Sequence, residues 1–158
     1  MNKILVTYFS ASNTTATLAK RIASALAADL KEIEPVNRYT NADLNWNDVN
    51  SRSSKESNDL KMRPEIIKNI DNIDEYDYIL VGFPIWWYRA PNIINTFLES
   101  YDFSGKTIIP FATSGGSGMG KTNSYLKGSC PNATLLEGKK MSVNEKEENI
   151  IKWFNGVK

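Results

Sequence analysis

Histidine is absent from this sequence. Its absence excludes Ser/His triads, histidine-ligated metals and imidazole acid–base chemistry together, so any catalysis has to borrow its chemistry elsewhere. Cysteine occurs once, as Cys130 beside Pro131, which rules out an intrachain disulfide and suits a reducing compartment. We read that thiol as incidental. Neither sign of charge is in excess: 19 Lys and Arg face 18 Asp and Glu, a net +1, giving no electrostatic footprint for nucleic acid and no acidic tail. Long apolar runs are missing too. The longest uncharged, largely apolar stretch, residues 78–88, is interrupted by Gly82 and Pro84 and falls far short of the ~20 residues a spanning helix needs. The opening Met1-Asn2-Lys3 leads directly into Ile4-Leu5-Val6, without the apolar core and cleavage site of a secretory signal. Cytoplasmic residence, with neither a membrane nor a nucleic-acid partner, is therefore expected. The 158 residues, 41% of them hydrophobic, suffice for one core, and a single domain over 1–158 is expected.

Residues 4–9 are β-branched, aromatic and apolar at nearly every position, as befits a strand buried on both faces of a parallel sheet. After the polar run 10–15, Leu18, Ala19, Ile22, Ala23 and Leu26 recur at helical spacing. Residues 30–34, closed by Pro35, give a weaker strand. Residues 37–63 are rich in Asn, Ser and Asp and read as a looping insertion with room for one short helix. Behind Pro64, the spacing of Ile66, Ile67, Ile70 and Ile73 predicts a helix, and 78–83 is the second clear buried strand. An amphipathic helix follows Pro91. A strand over 107–112, a short helix over 121–127, a fifth strand over 133–136 and a last helix capped near Asn144 complete the pattern. Strands alternating with helices imply a doubly wound α/β sheet with helices on both faces. In such sheets ligands sit beyond the carboxyl ends of the strands, where three unusual loops should converge.

The first of these loops, Ser10-Ala11-Ser12-Asn13-Thr14-Thr15, offers hydroxyls and free N–H groups at a helix start, chemistry suited to a phosphate held by neutral donors. The same residues also serve as ordinary helix caps. The second, Pro84-Ile85-Trp86-Trp87-Tyr88, could stack a flat π ligand or simply fill the core. Three successive aromatics cannot all face one side, so at least one should be exposed. The third runs from Thr113 through Ser114, Gly115, Gly116 and Ser117 to Gly120, and would let backbone approach a ligand closely or act as a turn. Residues 115–122 also satisfy the pattern G-x-x-x-x-G-K-[ST] of a nucleotide-triphosphate loop. Only 36 residues follow Thr122, and none of the downstream apolar segments ends in the Asp that would hold Mg²⁺, so a P-loop module is the distant alternative.

Taken together, strand one with residues 10–15, the run Phe83-Pro84-Ile85-Trp86-Trp87-Tyr88, residues 96–107 and residues 113–118 resemble the short bacterial flavodoxin-like proteins over essentially the whole chain. The resemblance implies a five-stranded parallel sheet in the order 2-1-3-4-5 and non-covalent FMN. It also implies that Ser10, Ser12, Asn13, Thr14 and Thr15 hold the phosphate, and that Trp86, Trp87 and Tyr88 flank the isoalloxazine with Pro84 and Ile85 shaping the turn. Thr113, Ser114, Gly115, Gly116 and Ser117 would then close the ring's other side. Asn13 stands where the family usually has glycine, and Asn tolerates a left-handed backbone. Many electron-carrying flavodoxins are strongly acidic and have a glycine just after the second-loop aromatic. This chain has neither feature. Electron transfer between redox partners is the expected function. The alternative is an NAD(P)H-dependent, quinone-reductase-like FMN oxidoreductase passing electrons to a small acceptor, with Tyr88 or solvent as proton donor. A monomer or homodimer fits both.

Overall fold

Alternating apolar strand residues can be buried only if both faces of the sheet are covered, and that requirement builds the fold. The computed structural model describes residues 3–113, 119–120 and 122–158. Strand β1 (Ile4–Tyr8) leads to helix α1 (Thr14–Leu26) and strand β2 (Asp29–Glu32). An excursion carrying the short helix α2 (Arg52–Ser57) precedes strand β3 (Tyr78–Pro84) and helix α3 (Asn92–Ser100). Strand β4 (Thr107–Thr113), helix α4 (Thr122–Leu126), the short strands β5 (Thr134–Leu135) and β6 (Lys139–Lys140), and helix α5 (Glu147–Val157) complete the chain. The sheet runs β2-β1-β3-β4-β5, all parallel, as expected. Successive strand residues feed opposite cores. Leu5, Ile79 and Ile108 pack with Ile93, Phe97 and Leu98 of α3, whereas Val6, Leu80 and Ile109 pack with Leu18 and Ile22 of α1 and Phe154 of α5. Among the described residues no helix is long and apolar enough to cross a membrane.

Three expectations need correction. The fifth strand is split: β5 and β6 both pair with β4, at Ile108↔Leu135 and Phe111↔Lys139, with a break between them. Pro110 causes it. Ile108 and Ala112 accept from Leu136 and Met141 on this edge, so the missing N–H of Pro110 faces the same edge and leaves the neighbour nothing to accept from. Gly138 fits the gap because a Cβ there would meet the Pro110 carbonyl oxygen at 2.7 Å. Second, residues 64–72 are not helical. Ile66 bridges antiparallel to Pro35, with Val36 N–H donating to Glu65 O and Ile67 N–H to Glu34 O. The β-branched isoleucines accept the extended form readily, and Asn69, Asp71 and Asn72 are poor helix formers, so the edge contact prevails over the spacing. Third, α5 starts behind Lys146 rather than near Asn144, with Glu147 and Glu148 placed favourably in its first turn.

Candidate functional site

The first loop turns into α1 through a backbone that only a few residue types tolerate. Asn13, the N-cap, sits at φ 67° and its side chain makes no capping bond, so it does not act as an ordinary cap. Its carbonyl accepts from Thr17 N–H at 2.9 Å, and Ser10 Oγ takes the Ala16 N–H at 3.2 Å. Ser12 and Thr14 are exposed with their hydroxyls 3.5 Å apart, next to the positive end of a 13-residue helix. Thr15 is buried, and its Oγ1 lies 2.8 Å from Thr113 Oγ1, joining the first loop to the end of β4.

The second loop is a tight hairpin. Trp86 N–H donates to Arg89 O at 3.0 Å and Arg89 N–H to Trp86 O at 3.2 Å, leaving Trp87 and Tyr88 as the two central residues. Their φ values are 50° and 65°, the signature of a type I′ turn, whose usual occupants are Asn and Gly. Two bulky left-handed residues cost of order 1–2 kcal/mol each, so the surroundings must impose the conformation. Arg89 is buried and donates to Ser57 O at 3.0 Å, fastening the hairpin to α2. Burial lowers the pKa of its guanidinium. Asn92 binds the carbonyls of Glu56, Asp59 and Met62, holding the excursion against the start of α3. Gly120 lies so close to the Tyr88 carbonyl that a Cβ would overlap it.

Trp86 is set by its neighbours. It packs edge-on to Phe9 and Tyr39, with ring centroids at 5.7 and 5.6 Å. Tyr39 is fixed by the Arg52 guanidinium 3.7 Å from its ring centroid and by a hydroxyl bond to Glu56 Oε1. Burial, with the Glu56 carboxylate second, pushes the Tyr39 hydroxyl pKa well up. Trp87 and Tyr88 are exposed, in line with the expectation that three successive aromatics cannot all be buried.

These elements surround a cavity of about 590 Å³ at the carboxyl edge of the sheet. Ser12 and Thr14, then Pro84, Ile85 and Trp86, then Thr113 contribute to its wall, so one residue group from each predicted loop meets there. Lys140, Met141, Ser142 and Val143 also line it. Sequence reasoning missed this segment, because its only signal was its place after a fifth strand whose split was not anticipated. Other expected residues lie elsewhere. Trp87 and Tyr88 line an adjoining cavity of about 410 Å³ with Leu44, Trp46 and Ser53. Ser10 and Asn13 border a polar cleft with Lys20 and Arg38. Ser114, Gly115, Gly116 and Ser117 fall outside the described residues. At the end of the P-loop-like pattern, Thr122 is buried and its hydroxyl is committed to Met119 O, and among the described residues no acidic or thiol cluster could hold a metal ion.

Residues 3–157 match the flavodoxin family model. The chain belongs to the flavodoxin family. A candidate flavoprotein from Bacteroides eggerthii is 46% identical over 99% of this chain and 98% of its own, with a TM-score of 0.94. A second, from Bacteroides uniformis, is 45% identical over 98% of both chains, with a TM-score of 0.90. A Lactobacillus acidophilus flavoprotein solved in complex with FMN is 25% identical over 98% of this flavodoxin-family chain and 99% of its own, at a TM-score of 0.75. No curated protein matches the chain.

Proposed function

We propose that the chain binds FMN non-covalently at the carboxyl edge of its sheet and carries electrons between redox partners. The observation that carries this reading is the meeting of the hydroxyl-rich helix start, the aromatic hairpin and Thr113 around one cavity. Its volume of about 590 Å³ lies within the range of cofactor pockets. The donor set suits the cofactor. The Ser12 and Thr14 hydroxyls and the helix N-terminus would hold the phosphate, Pro84, Ile85 and Trp86 give the ring an apolar wall, and Lys140 adds one cation. The FMN complex of the Lactobacillus relative supports the same cofactor. Bound there, FMN supplies the redox chemistry, while the protein positions it and limits water. Thr15 acts as a positioning residue, since its hydroxyl is bonded to Thr113.

A second reading, an NAD(P)H-dependent FMN oxidoreductase, draws support from the hairpin. Turning the Trp87–Tyr88 peptide over would convert type I′ to type II′, whose first central residue is glycine, and here that residue is Trp87. A fixed peptide and a net charge of +1 both suit two-electron reduction better than stepwise one-electron transfer. Anaerobic titration of the FMN-loaded protein separates the two. A carrier is reduced by dithionite in resolved one-electron steps and ignores NADPH. Direct bleaching by NADPH, in a single two-electron step, would replace the first reading with the second.

A further inference from the structure

The excursion between β2 and β3 buries charge where the fold has no evident need of it. Its helix α2 has six residues, too few to be stable alone, yet Glu56 is 5% exposed there and its Oε2 accepts from Arg52 Nε at 3.0 Å. A buried ion pair adds little to stability, because desolvation offsets most of the attraction, so what the pair holds in place is the better guide to its use. Here it holds Tyr39. The Tyr39 hydroxyl donates to Glu56 Oε1 at 2.5 Å, and the Arg52 guanidinium lies 3.7 Å from the Tyr39 ring centroid.

From α3 to the cavity wall the contacts are continuous. Asn92 Nδ2, at the start of α3, donates to Glu56 O at 2.8 Å, which anchors the backbone of the residue whose carboxylate grips Tyr39. The Tyr39 ring then meets Trp86 edge-on at 5.6 Å and Phe9 at 5.4 Å, while Phe9 and Trp86 meet at 5.7 Å. Three rings in mutual contact form a closed triangle in which each restricts the other two. Its corners come from the end of β1, the excursion and the second loop. Trp86 is the corner that borders the large cavity, in a wall shared with Pro84 and Ile85, so its ring is restrained from the packed side.

We propose that Arg52, Glu56 and Tyr39 are positioning residues for the cofactor: the buried ion pair, through the Tyr39 hydroxyl, fixes the orientation of Trp86. The excursion thereby sets the affinity for the ring half of FMN and leaves the phosphate half, held by Ser12 and Thr14, unaffected. This rests on the FMN reading of the large cavity. None of the three positioning residues contributes to that cavity's wall, so their effect on the flavin has to pass through Trp86.

Titration of the full chain with FMN and with riboflavin tests this directly. Tyr39→Phe deletes one oxygen and keeps both the ring and the Arg52–Glu56 pair. It should weaken the two flavins by the same factor, about fivefold, because only ring contacts are loosened. Trp86→Leu should weaken both as well, and Tyr39→Phe added to it should cost less than about twofold more, since the residue through which Tyr39 acts is gone. In the flavin-free chain, circular dichroism at the long-wavelength edge where only tryptophan absorbs should fall in Tyr39→Phe. In the Trp86→Leu background the same substitution should leave it unchanged. A loss confined to FMN, unchanged affinity for both flavins, or a full effect persisting in Trp86→Leu would overturn the proposal while leaving the cofactor reading intact. A wild type that binds neither flavin would overturn the cofactor reading, and the proposal with it.

Discussion

The hydroxyls of Thr15 and Thr113 lie 2.8 Å apart and buried, bonded across two loops that are 98 residues apart in sequence. Thr15 belongs to the first turn of α1 and Thr113 ends β4, so this bond fixes the start of α1 against the neighbouring strand end. Thr14, one residue earlier, is exposed and lines the large cavity. On the proposed function, the two adjacent threonines divide the work of positioning and contact.

That division predicts that Thr14→Val weakens FMN binding by about 1–3 kcal/mol, through loss of a hydrogen bond to the phosphate. Riboflavin, which lacks the phosphate, should bind wild type and variant alike. Flavin fluorescence titration measures both, and an equal loss for the two ligands would place Thr14 away from the phosphate.

Tyr88→Gly should stabilise the protein. Tyr88 is 70% exposed, so little packing is lost, while a left-handed backbone at φ 65° suits glycine better than tyrosine by about 1 kcal/mol. For a chain of this size that corresponds to a Tm increase of about 2–4 °C. A lowered Tm in thermal unfolding would show that the ring, not the turn, governs this position.

Acid should weaken the junction between the excursion and α3. Arg63 donates to both carboxylate oxygens of Glu99, at 2.9 and 3.1 Å, and Ser129 Oγ donates to one of them. The Arg63 hydrogen bond first, and that from Ser129 after it, hold the Glu99 pKa below its usual range. A carboxyl depressed on folding contributes stability that is complete above its unfolded pKa, about 4.3, and is lost as pH falls through the folded value. Urea unfolding from pH 7 to pH 3 should therefore show a smaller acid loss in Glu99→Gln than in wild type, starting from a lower plateau.

Cys130 should be inert. It is buried, its Sγ contacts Leu126 O at 3.6 Å, and burial raises the thiol pKa, so thiolate is scarce at neutral pH. A thiol reagent such as DTNB should label it at the rate of unfolding. Labelling within seconds under native conditions would contradict this.

Much of this architecture was legible in the sequence because strands such as 78–83, buried on both faces, leave continuous apolar runs, and because helices α1 and α3 carry apolar residues at helical spacing. The turn geometry at Asn13 was legible too, as a substitution the left-handed region tolerates. What escaped was set by non-local pairing. The extended course of 64–72 depends on an antiparallel partner at Pro35, and the split of the last strand depends on which edge the Pro110 nitrogen faces. At the site, the run Trp86-Trp87-Tyr88 announced an aromatic loop. That Trp86 borders both cavities while Trp87 and Tyr88 border only the smaller follows from the Trp86–Arg89 pairing and from Arg89 reaching α2, neither of which has a local signal. Lys140 and Val143 entered the wall for the same reason.

The most direct test of the central claim is the visible spectrum of the purified full chain, with identification of the flavin released on denaturation. A yellow protein that releases FMN and not FAD, or colourless protein that takes up FMN in one-to-one stoichiometry, is the predicted result. Colourless protein that refuses FMN but binds ATP with Mg²⁺ would contradict the account and return the P-loop-like pattern at residues 115–122 to consideration.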